Sequence, residues 1–232
     1  MGEIYLVRHG QASFGAADYD QLSPLGIAQS RQLGGWLAAS GQRFDRVVTG
    51  TLRRHRQTAD ECFAAHQQSG GARSEDAGLD EYDHRQMLGR YDPGLATPEA
   101  VRSLIDTHAN PRRAFQELFA AAFARWVAGE HDADYTESFA AFRSRVLGAL
   151  ERLVASAARS DRLIVFTSGG PIAVIAQSLL GLADERVAAL NFSLANAALT
   201  IAFFGASGLR LGTLNAFQHL EQPGERTLVT YR

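Results

Sequence analysis

The sequence predicts an α/β fold with a mostly parallel central sheet. Short apolar runs at 4–7, 46–48 and 163–166 read as buried strands, and each is followed by a segment with helical spacing. That alternation requires right-handed crossovers between parallel strands. The 232 residues, 46% of them hydrophobic, can build one large core with a helical annex. The chain is read as a single domain over 1–232 carrying a helical insertion at about 98–158.

The elements follow in order. GEIYLVR is a buried strand, with Ile4, Leu6 and Val7 as its core side. In LSPLGIAQSRQLGGWLAAS, Ser23 caps a helix and Pro24 takes its first position. Leu25, Ala28, Leu33, Trp36 and Leu37 supply its spacing, and Gly41 ends it. RFDRVVTG is a second strand, and TLRRHRQTADECFAAH starts a second helix just past it. ARSEDAGLDEYD gives a third strand and then a loop, and 89–98 reads as irregular because Gly, Pro and Asp crowd it. The stretch 98–158 is mostly helical, with one break at GEHDAD. The apolar run 163–166 returns to the sheet, PIAVIAQSLLG is a helix, and two strands flank the turn GASG.

Composition excludes several function classes. Lys and Arg number 23 against 25 Asp and Glu, so no basic field points to nucleic acid or an anionic membrane. A lone cysteine, Cys62, excludes an internal disulfide framework and reads as a core thiol. No run of eighteen apolar residues predicts a membrane span. MGEIYLVRHG enters a strand with no basic segment before it, which predicts no signal peptide and a cytoplasmic setting. Apolar surface on the C-terminal helices allows a homodimer.

Strand ends in an open parallel sheet converge on one edge, where ligands bind. Four chemically loaded places fall there: Arg8–His9–Gly10, the arginines at 53, 54 and 56, Asp80–Glu81, and Thr167–Ser168–Gly169–Gly170. Arginine's planar fork matches a phosphoryl group. A histidine nitrogen can take that group covalently, and a carboxylic acid can protonate the leaving oxygen. Gly10 would let backbone approach a ligand, and the helix starts after Thr51 and at Gly169–Gly170 would offer N–H groups to an anion. Arginines at a helix start oppose the dipole, which favours a functional role for at least one. Taken singly, Glu81 reads as surface charge and Ser168 as a turn residue. SGGP does not fit the G-x-S-x-G elbow, and no base is placed for serine hydrolysis.

Taken together, LVRHG at 6–10, DQLSPLGIAQSRQLG at 20–34, TLRRHRQTA at 51–59, LDE at 79–81 and NAALT at 196–200 are distinctive in their order. The chain resembles the histidine phosphatase superfamily, which includes the phosphoglycerate mutases. The resemblance implies a three-layer α/β sandwich with a mostly parallel sheet. It makes His9 the nucleophile that forms a phosphohistidine and Glu81 the proton donor. Arg8, Arg54, Ser168 and Gly169 become the phosphate-binding residues. It implies metal-independent hydrolysis of a phosphate monoester, with no cofactor. The substrate would be a small phosphorylated metabolite or a phosphorylated side chain.

Three departures bear on this. The family usually carries a histidine where this chain has Ser168, and a hydroxyl cannot carry imidazolium charge. That leaves a phosphate-ester binding protein with little turnover as an alternative, with Arg53 and His84 the candidates to make up the loss. QASFGAADYD after RHG lacks the asparagine of the mutase-like pattern, which disfavours the phosphotransferase reading and points to Phe14 and Tyr19 as pocket wall. Gly50 stands where the family commonly has serine. The helical stretch and the loop 84–98 are expected at the pocket mouth.

Overall fold

The computed structural model describes residues 1–13, 20–67, 71–221 and 228–231. Phe14 and Tyr19 lie outside the described residues. Six strands form one sheet: β1 (Gly2–Arg8), β2 (Arg46–Thr49), β3 (Ala72–Glu75), β4 (Arg162–Thr167), β5 (Leu199–Gly205) and β6 (Gly208–Ala216), in the order β3-β2-β4-β1-β5-β6. The first four strands of that order run parallel, and β5 and β6 close the other edge antiparallel. Alternate side chains feed two cores. Tyr5, Val7, Val47, Ile164 and Phe166 face one layer, while Ile4, Leu6, Val48, Leu163 and Val165 face the other.

Helices α1 (Pro24–Ala39) and α2 (Arg53–His66) cover the first face. Ser23 caps α1 by accepting from the Gly26 N–H, with Pro24 at the helix start, as the sequence predicts. The buried stripe differs from the expected one. Trp36 is 40% exposed and lies over His219, and Ala28 is exposed. Small residues decide this, because a Cβ on Gly34 would stand 2.0 Å from the Cys62 carbonyl oxygen of α2. The two helices therefore meet backbone to backbone, and the bulky Trp36 is displaced from the seam. Cys62 is fully buried there, and burial pushes its thiol up to about 12, so it packs as an inert group.

The second face carries α3 (His84–Tyr91), α4 (Pro98–Asp106), α5 (Pro111–Val127), α6 (Phe139–Ala155), α7 (Gly169–Leu180) and α8 (Val187–Ser193). Two expectations are corrected here. The segment read as irregular from 89 begins inside α3, whose start Asp83 caps by accepting from the Arg85 and Gln86 N–H groups. Burial of Met87 and Leu88 against the core holds that helix. The 98–158 stretch is three helices rather than two, and α6 belongs to the sheet-covering layer through Phe142, Val146 and Leu150. Among the described residues no helix is long and apolar enough to cross a membrane.

Register delivers the site. Arg8 pairs with Thr167 across β1 and β4, and Thr49 pairs with Phe166 across β2 and β4. The ladder runs one residue further, with the His9 N–H on the Thr167 carbonyl and the Gly50 N–H on that of Phe166. His9, Gly50 and Ser168 therefore leave the sheet at one level of one edge.

Candidate active site

Arg8 and His9 are locked at the end of β1. The Arg8 guanidinium donates to the Leu194 carbonyl, and the Asn196 side-chain amide donates to the His9 carbonyl at 3.2 Å. The His9 Nδ1 lies 2.7 Å from the Gly10 carbonyl oxygen. That oxygen only accepts, so Nδ1 carries the hydrogen and Nε2 keeps a lone pair. Burial, then the Arg54 and Arg8 charges, then His55, hold His9 well below its ordinary pKa, leaving the ring neutral. Packing against α1 requires Gly10. A Cβ there would meet the Gly26 carbonyl oxygen at 2.4 Å and the Ser30 Oγ at 2.9 Å.

The first turn of α2 brings in Arg54, which is buried, whereas Arg53 and Arg56 are exposed. Arg54 donates to Asp20 Oδ1 at 2.8 Å and reaches Ser168 Oγ at 3.4 Å. The helix start does not offer its N–H groups to a ligand as expected. The Arg53 N–H donates to Asp20 at 2.8 Å, and the Thr51 N–H donates to Asp80 Oδ1 at 2.6 Å. Carboxylates from the chain itself already complement that end of the dipole.

Glu81 enters from the segment after β3. Its Oε2 accepts from the Gly170 N–H at 3.2 Å, at the start of α7. Burial raises its pKa, against Arg54, the Gly170 hydrogen bond and Arg8, which all pull it down. The paired glycines make room for this. A Cβ on Gly170 would fall 2.1 Å from Glu81 Oε1, and one on Gly169 would fall 2.2 Å from Asn191 Oδ1. A cavity of about 240 Å³ opens beside Glu81, walled by Tyr82, Gln86, Met87, Trp126 and Tyr135. The larger apolar groove between α5 and α8 contains none of these site residues.

Arg8, His9, Arg54, Glu81, Ser168 and Gly169, all singled out from sequence, thus share one edge. Sequence reasoning missed His55. Its ring is fully buried, with Nε2 at 2.7 Å from Ser168 Oγ and its centroid 5.8 Å from that of His9. Of the two candidates named for the missing charge, Arg53 is exposed and His84 lies near enough to Arg54 to feel its charge. The His84 imidazole is only partly buried, and desolvation with the nearby Arg54 charge lowers it to about 4. Gly50 explains the fit, since a Cβ there would stand 2.3 Å from His55 Nδ1 and 2.6 Å from Asp80 Oδ1. The signal lay in the joint departures: a side chain missing at 50 and a short one at 168 leave space for one imidazole.

A family model described as histidine phosphatase superfamily (branch 1) matches residues 4–103 and 105–216. No curated protein matches the sequence. Among solved structures, an Entamoeba histolytica phosphoserine phosphatase variant in complex with phosphoserine has 18% identity and a TM-score of 0.65, covering 95% of this chain and 100% of that one. A phosphoglycerate mutase from Bacillus anthracis has 16% identity and a TM-score of 0.63, covering 94% of each chain. A mycobacterial glucosyl-3-phosphoglycerate phosphatase has 23% identity and a TM-score of 0.60, covering 92% of this chain and 98% of that one. These likenesses share the three-layer architecture.

Proposed function

The chain belongs to the histidine phosphatase superfamily, and on that premise we propose that it hydrolyses phosphate monoesters through a phosphohistidine on His9. Membership supports phosphoryl transfer or hydrolysis in general. The finer reading rests on one observation above all: the Gly10 carbonyl fixes the Nδ1–H tautomer of His9, so Nε2 is the attacking atom. Arg8 and Arg54 hold the non-bridging oxygens, whose charge persists through transfer. Nε2 bonds to phosphorus as the ester P–O bond breaks. Glu81, whose pKa burial raises, gives its proton to the departing alkoxide. Its carboxylate then takes a proton from the water that attacks the phosphohistidine, restoring the enzyme.

The substrate class is a small phosphorylated metabolite or side chain, its leaving group placed toward the cavity beside Glu81. The whole chain acts as one domain in this reading. The Asp20 carboxylate on Arg54 favours a second reading, an ester-binding protein with little turnover, because it competes with phosphoryl oxygens for that guanidinium.

Rapid quenching during turnover of a ³²P-labelled monoester tests both. An acid-labile, base-stable label on the peptide containing His9, absent from His9→Ala, is expected. Turnover without any label on His9 sinks the mechanism, and tight ester binding without turnover selects the second reading.

A further inference from the structure

Ser168 occupies the N-cap of α7 with extended backbone, φ −113° and ψ 174°, yet its hydroxyl makes no capping hydrogen bond. A serine there ordinarily caps its own helix. Here the hydroxyl lies between His55 Nε2 at 2.7 Å and the Arg54 guanidinium at 3.4 Å. On the far side of the ring, His55 Nδ1 is buried with no hydrogen-bond partner, 3.7 Å from Asp80 Oδ1. Asp80 is held by the Thr51 N–H and hydroxyl. Carboxylate, imidazole and hydroxyl thus form a line that ends among Arg54 and His9. Gly50 leaves the space that this line needs.

We propose that Asp80, His55 and Ser168 form a proton relay in which His55, acting through the Ser168 hydroxyl, delivers an imidazolium-backed hydrogen bond to a bound phosphoryl oxygen. This deepens the phosphoryl-site reading and rests on it. Before an anion binds, the acceptor-only carboxylate favours hydrogen on Nδ1, so Nε2 accepts from the Ser168 hydroxyl. Arrival of a phosphoryl anion reverses the line. Nε2 takes one proton from solvent and donates to Ser168 Oγ, and the hydroxyl hydrogen turns to the phosphoryl oxygen.

The groups that set this balance come from every packed element. Asp80 faces the ring from the segment after β3, His9 from the end of β1, and Ser168 from the start of α7, while Arg54 and Arg56 lie on the same helix as His55. Burial and the two arginines keep the ring neutral until an anion offsets them. His55 is a positioning residue in this scheme, because the hydroxyl makes the contact.

The test uses inorganic phosphate and orthovanadate on the full chain, by calorimetry in two buffers of different ionisation enthalpy. Wild type is expected to take up close to one proton beyond the ligand's own ionisation. His55→Gln and Ser168→Ala should each abolish that uptake and weaken binding by about 10- to 100-fold, the value of a charge-assisted bond. The double variant should be no weaker than either single one. Unchanged uptake in His55→Gln, or additive losses in the double variant, overturns the relay. So does a quenched phosphoryl label on Ser168, which would make His55 the base of a serine nucleophile. The calorimetric measurements need no turnover. A chain that shows the linkage but never labels His9 keeps the relay and loses the phosphatase reading. Equal unfolding temperatures in the variants separate loss of the relay from loss of the fold.

Discussion

Gly170→Ala tests the placement of the acid without removing it. The new methyl would sit 2.1 Å from Glu81 Oε1, so reaching an ordinary 3.4 Å separation needs a retreat of about 1.3 Å. A displacement of about 1 Å at a reacting group costs on the order of 10²-fold in rate. Tyr82 ring carbons at 2.7 and 2.9 Å must move as well. Overpacking of that kind costs about 1–3 kcal/mol, which for a chain of this size lowers Tm by about 2–12 °C. The variant should therefore fold. The assay is kcat/KM on two monoesters, one with an alkyl alcohol as leaving group and one with an acidic phenol, beside the inhibition constant of inorganic phosphate. An alkoxide needs the proton far more than a phenolate does. The alkyl ester should lose about 10²-fold, the aryl ester much less, and phosphate affinity should hold because Arg8 and Arg54 stay in place. Glu81→Gln should reproduce that selectivity. Equal losses on both esters in both variants would refute the assignment of Glu81 as the leaving-group acid.

Two pH responses follow from the buried groups. For alkyl esters, kcat/KM requires Glu81 protonated, so activity is present below its raised pKa and lost as pH rises through it; Glu81→Gln removes that alkaline limb, and a limb that survives the change rejects the role. His219 donates from Nε2 to the Ala197 carbonyl at 3.0 Å and is lowered by burial from 6.5 to about 4. The unfolded chain binds that proton more readily, so stability is full above 6.5 and falls as pH drops toward 4. The loss reaches up to about 3 kcal/mol from this group, and denaturant melts of His219→Gln should depend less steeply on pH across that window.

The parts of the molecule legible in sequence are those fixed by local pattern or chain order. The β1 run, the Ser23 cap with Pro24, and the strand β4 that ends at Thr167 need only neighbouring residues to be read. The shared edge is legible because strand ends in a parallel sheet converge, whereas the choice of Arg54 among three arginines and of Glu81 comes from the family resemblance. His55 was not, because nothing local says that it turns inward to Ser168 while Arg56, on the same turn, pairs with Glu75 at the surface. The anion site expected at the start of α2 failed for a similar reason: Asp20 and Asp80 come from elsewhere in the chain to fill it. Helix α3 was hidden by a Gly- and Asp-rich composition that its buried Met87 and Leu88 override. Gly10 stands against α1, a close approach that no local pattern in the sequence announces.

The proposed reaction needs a neutral imidazole and a protonated carboxyl together, which their ordinary pKa values of 6.5 and 4.5 oppose. With those values, at most about 1% of molecules hold both groups in the required form at any pH. This edge of the sheet moves each group the necessary way. Burial lowers His9 and raises Glu81, because both reactive forms are the uncharged ones. Arg54 and Arg8 lower His9 further but pull Glu81 down, so for the acid two influences compete, and desolvation is the larger. Gly170 lets the carboxylate sit close against α7, although its N–H bond favours the charged form. In the proposed mechanism, desolvation at the edge therefore favours both reactive forms. A substitution that wets it without touching His9 or Glu81 would shrink the reactive population from both ends.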